Sequence, residues 1–127
     1  MRMILTALAI AAVAAPSGAR DRNQVPEATP VGKPENCIRT IGIRQTYVRS
    51  DSVIDFDMGG GKIYRNTLPY ACPQLGFEEK FLYKTSIGQL CSVDVITVLH
   101  DGPGGVGATC GLGVFQPVTL AKPPKHR

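Results

Sequence analysis

A chain of 127 residues is long enough for one domain and too short for two. Its net charge of +4, from 14 Lys and Arg against 10 Asp and Glu, falls well short of the basic excess of a nucleic-acid binder. The core has no Trp and only four Phe and four Tyr, so it must rest mainly on Ile, Leu and Val.

Residues 1–19 have the build of a secretory signal peptide. Arg2 supplies the positive start, Ile4 to Ala15 the apolar run, and Ala12-Val13-Ala14 or Ser17-Gly18-Ala19 the small-residue exit. The run breaks at Pro16 and is shorter than the roughly 20 apolar residues of a spanning helix. The mature protein is therefore expected not to span a membrane. Residues 20–36, with Pro26, Pro30 and Pro34 among polar side chains, read as a disordered linker that buries too little to offset its ordering entropy.

Residues 37–119 are the expected folded unit, and its apolar period is two. Ile38 to Val48 is strand-like, with Gly42 a candidate bulge. Ile54, Phe56 and Met58 alternate with Asp55 and Asp57, the pattern of a strand with one wet face. Gly59-Gly60-Gly61 then supplies a hairpin turn into a strand led by Ile63 and Tyr64, with Lys62 and Arg65 as cross-strand partners for the acids. Phe81 to Thr85 and Cys91 to Leu99 form a second expected pair, and Thr109 to Val118 a last strand. Gln74 to Lys80 gives the one helical hint. Residues 120–127 form a basic tail expected to be disordered. About six antiparallel strands predict an all-β fold, a small partly open β-barrel, with a two-sheet β-sandwich as the alternative.

Cys37, Cys72, Cys91 and Cys110 all fall in the mature part. An even set in a small exported domain reads as disulfides formed in the periplasm or outside the cell. Three connectivities are open, and Cys72–Cys91 and Cys91–Cys110 close the shortest loops. With gaps of 35, 19 and 19 residues there is no paired-cysteine spacing, so neither a structural metal nor any cofactor is expected.

Other chemistry is poorly supported. Gly102-Pro103-Gly104-Gly105-Val106-Gly107 matches a dinucleotide loop in letters, but Ala108 to Gly113 cannot open a helix and no acid follows Asp101. Asp55 and Asp57, about 7 Å apart on one strand face, read as a solvated face before a carboxylate pair. His100, with the nearby Asp101 or Asp94 and Ser86 or Ser92, is the only hydrolase-type set, and no nucleophile-elbow sequence accompanies it. No catalytic residue is therefore assigned. Arg39, Arg44, Tyr47, Arg49, Tyr64 and Arg65 form the candidate binding surface, a basic and aromatic set suited to an anionic envelope component or another protein and, in an exported chain, not to nucleic acid.

Three motifs carry a resemblance: Cys72-Pro73-Gln74-Leu75-Gly76-Phe77, Tyr83-Lys84-Thr85-Ser86, and Cys110-Gly111-Leu112-Gly113-Val114-Phe115. With them the chain resembles a family of small exported proteobacterial proteins of unknown function, over roughly residues 37–117. The resemblance implies an exported bacterial protein and brings no catalytic residue or cofactor. The function expected is a non-catalytic binding or envelope-accessory module.

Overall fold

A computed structural model describes residues 25–85 and 87–121. The expected signal peptide, the first residues of the linker, Ser86 and most of the basic tail lie outside the described residues.

Within them the chain runs β1 (Ala28–Pro30), β2 (Cys37–Arg39), a 3-10 turn (Thr40–Gly42), β3 (Gln45–Val48), β4 (Val53–Asp57), β5 (Ile63–Thr67), α1 (Leu75–Glu78), β6 (Phe81–Tyr83), β7 (Gln89–Cys91), β8 (Val95–Leu99), β9 (Val106–Gly111) and β10 (Phe115–Leu120). Every strand pairing is antiparallel. A five-stranded sheet has the order β1-β10-β5-β4-β3, a three-stranded sheet the order β6-β8-β9, and β2 pairs with β7 alone.

The all-β expectation holds, in the sandwich-like form given as the alternative to a partly open barrel. β1 and β3 end the large sheet and do not meet, so the sheet stays open and the architecture is sandwich-like. Ile54, Phe56, Tyr64 and Phe115 from the large sheet share one core with Ile96 and Val98 of β8, Ile38 and Leu90 of the β2–β7 pair, and Leu75 of α1. Phe56 packs edge-on against Phe115 at 5.4 Å and against Phe81 of β6 at 6.3 Å, which ties the two larger sheets together.

Several strand expectations need correction. Residues 25–36 are not simply a linker. Ala28–Pro30 pairs with Val118–Leu120, and Glu35 exchanges both backbone hydrogen bonds with Phe115. Gly42 sits in the 3-10 turn that separates β2 from β3, where a bulge in one continuous strand was expected. Cys91 to Leu99 is two strands, because the Asp94 carboxylate turns back to accept the Cys91 N–H and the chain changes sheets there. The glycine hairpin forms as expected, with φ of +82°, +63° and +81° at Gly59, Gly60 and Gly61.

Both disulfides pair cysteines other than the two shortest closures: Cys37 with Cys91 and Cys72 with Cys110. Cys37 and Cys91 are directly opposed in the β2–β7 ladder, a neighbourhood that sequence separation cannot reveal. The Cys72–Phe77 turn is anchored instead on Asp51, whose carbonyl accepts from Cys72 N–H and whose carboxylate accepts from Gly76 N–H.

Candidate functional site

Strand register builds the site. Tyr47 on β3 stands opposite Asp55 on β4, Asp55 opposite Arg65 on β5, and Arg65 opposite Gln116 on β10. Side chains alternate across a strand, so this row lies on the face opposite Phe56 and Tyr64, away from the core.

Asp55 is nonetheless fully buried. Its solvent is replaced by two guanidinium groups. Arg65 donates from Nε to Oδ1 at 2.8 Å and from Nη2 to Oδ2 at 2.9 Å, and Arg49 donates from Nε to Oδ2 at 3.0 Å. The side chains of Arg49 and Arg65 keep 23% and 14% of their surface in solvent. The Arg49 guanidinium stacks over the Tyr47 ring, 4.7 Å from its centroid.

A guanidinium carries five N–H donors. Arg65 directs two of them and Arg49 one to Asp55, and the remainder make no hydrogen bond among the described residues. One buried carboxylate thus fixes two arginines and leaves the trio with a single net positive charge. Held arginines bind a carboxylate, sulfate or phosphate with less loss of side-chain freedom than free ones.

Of the six surface residues expected from sequence, Tyr47, Arg49 and Arg65 come together here. Arg44 lies beyond the start of β3 and packs along Gly59 of the glycine turn. Arg39 is exposed on β2, in a different sheet. Tyr64 is 4% exposed and faces the core, the correction that matters most, since it is adjacent to Arg65 in sequence and opposite in space. Asp55 was expected on a wet face. The two arginine side chains folded over it are what bury it.

Among the described residues, which leave out Ser86, His100 pairs with neither Asp101 nor Asp94. Its Nδ1 is 3.0 Å from Glu78 Oε1, while Asp101 pairs with Lys80 and Asp94 with the Cys91 N–H. On its other side a Cβ at Gly107 would lie 2.5 Å from His100 Nε2. All four cysteines are bonded. Among the described residues, no three His, Cys, Asp or Glu side chains gather as a metal site, and no helix is long and apolar enough to cross a membrane.

The two disulfides point to an oxidising location outside the cytoplasm. No family model, curated protein or solved structure matches the chain.

Proposed function

We propose that this protein is a non-catalytic binding module, exported to the periplasm or beyond, that holds an anionic group of an envelope component between Arg49 and Arg65. The observation that carries the reading is the buried Asp55, which orients both guanidiniums while leaving them donors to offer. Signal-like residues 1–19, the paired cysteines and the resemblance to small exported bacterial proteins support the compartment.

Titration of the mature protein with dextran sulfate, against unsulfated dextran, tests it. Binding is expected only to the sulfated polymer and is expected to weaken with salt, because contacts between exposed charges are screened. Arg49→Lys keeps the charge and loses the planar fork, so it should weaken binding without unfolding the chain. If Arg49→Lys and Arg49→Met both bind dextran sulfate as the parent does, the reading fails.

A further inference from the structure

On the opposite side of β5 from the arginine pair, two hollows of about 390 and 380 Å³ share Glu35, Lys62 and Tyr64 as lining. Each falls in the range of small-molecule pockets, roughly 300–1,000 Å³. Both are walled by the segment leading into β2, which is fixed where Val31 N–H reaches Pro117 C=O and Glu35 and Phe115 exchange backbone hydrogen bonds. The first hollow is formed over buried Ile38 and Tyr64, with Met58 partly buried against the same core.

Its chemistry is two-sided. Arg39 and Lys62 line the first hollow and Lys33 and Lys62 the second, with Glu35 as the single acid in both. The Lys62 ammonium lies 5.1 Å from the centroid of the Tyr64 ring. The Tyr64 phenol, chiefly through a hydrogen bond, holds that ammonium above the usual lysine range. Ile41, on the 3-10 turn beside the first hollow, leaves 89% of its surface in water. A large aliphatic side chain so exposed beside an apolar floor gains if a ligand covers it.

We propose that this groove binds a small amphipathic anion, its charged head held by Lys62 and Arg39 and its apolar body laid over Tyr64, Met58 and Ile41. The excess of cations over Glu35 selects the sign of the head, and the apolar floor demands a body behind it. This site is separate from the Arg49–Arg65 pair and does not rest on it.

Amide NMR titration of the mature protein with decanoate, decanol and acetate tests the assignment. Decanoate should bind saturably, shifting residues 35–42 and 58–64, while decanol lacks the head and acetate the body, so both bind far more weakly. Lys62→Met with Arg39→Met should weaken decanoate about tenfold, the scale of losing a hydrogen bond to a charged group. Glu35→Gln should tighten it. The proposal is overturned if decanol binds as well as decanoate, if acetate alone gives the same shifts, if the shifts cluster at Arg49 and Arg65, or if the lysine and arginine replacements have no effect.

Discussion

Asp55 and Arg65 face each other across β4 and β5, and Arg65 closes on both carboxylate oxygens at 2.8 and 2.9 Å. With Arg49 on the second oxygen, the carboxylate has no water left to turn to. Removing one partner of such a buried pair leaves the others charged and partly desolvated, a cost of about 3–5 kcal/mol. Asp55→Ala is therefore expected to lose about that much stability in urea unfolding, because two guanidiniums would then repel each other over an empty site. A change below about 1 kcal/mol would show that the cluster is a surface ion pair of the ordinary weak kind.

The register of that pair was legible in the sequence; its burial was not. Alternation in Ile54 to Met58, the three glycines and the return through Ile63 fix the hairpin and set Arg65 against an acid. Arg49 is a different case. It joins Asp55 because β3 packs beside β4, and the turn Ser50–Ser52 that brings it back has no strong local signature. Strand pairing between distant segments was likewise hidden. β1 belongs beside β10 and β2 beside β7 through contacts far apart in sequence, so the linker, the disulfide pairing and the open sheet could not be read from spacing. The basic-aromatic set does not lie on one surface, since Tyr64 and Arg65 must point to opposite faces of the same strand.

Asn66 and Gly113 form a second joint that local sequence reading overlooks. The fully buried Asn66 side chain accepts from Gly113 N–H at 2.8 Å and donates to Gly113 C=O at 2.7 Å, standing in for a strand where β9 gives way to β10. Asn66→Ala would leave both backbone groups without a partner, at about 1–3 kcal/mol for each unsatisfied group. Gly113→Ala is expected to be worse tolerated than an alanine at Gly102, because its Cβ would crowd the Thr67 carbonyl oxygen while Gly102 has open space and no positive φ. Thermal melts of the three variants check this order. Equal melting of Gly113→Ala and the parent would contradict it.

Lys80 and Asp101 make an exposed ion pair near the glycine-rich turn. The hydrogen bond from Lys80 holds the Asp101 carboxyl below its usual range and raises the Lys80 ammonium above its own. The two signs bound one window. The carboxylate's contribution is present above its unfolded-state pKa and fades as pH falls through the lowered folded value. The ammonium's contribution is present below its unfolded-state pKa and fades as pH rises through the raised folded value. NMR titration of the Asp101 carboxyl should show a midpoint below that of a free aspartate, and Lys80→Met should return it upward with little change in stability near neutral pH. A midpoint that does not move in Lys80→Met would mean that the pair does not persist in solution.

The disulfides contribute on the same scale as the buried Asp55 cluster. Cys37–Cys91 spans 54 residues and Cys72–Cys110 spans 38, and in the chain-entropy model each restrains the unfolded chain by about 4 kcal/mol. A domain of this size has only about 5–15 kcal/mol in total. Cys72 is also fully buried in the core beside Leu75, whereas Cys37 and Cys91 are partly exposed in their ladder. Cys72→Ala with Cys110→Ala should therefore cost more than Cys37→Ala with Cys91→Ala, since it opens a gap in the core as well as freeing the chain. Peptide mapping under non-reducing conditions should recover Cys37 with Cys91 and Cys72 with Cys110. Full reduction should unfold the domain at moderate temperature. Recovery of a Cys72–Cys91 peptide, or a reduced chain that melts like the oxidised one, would show that the β2–β7 ladder and the Asp51-anchored turn are not held in the way described.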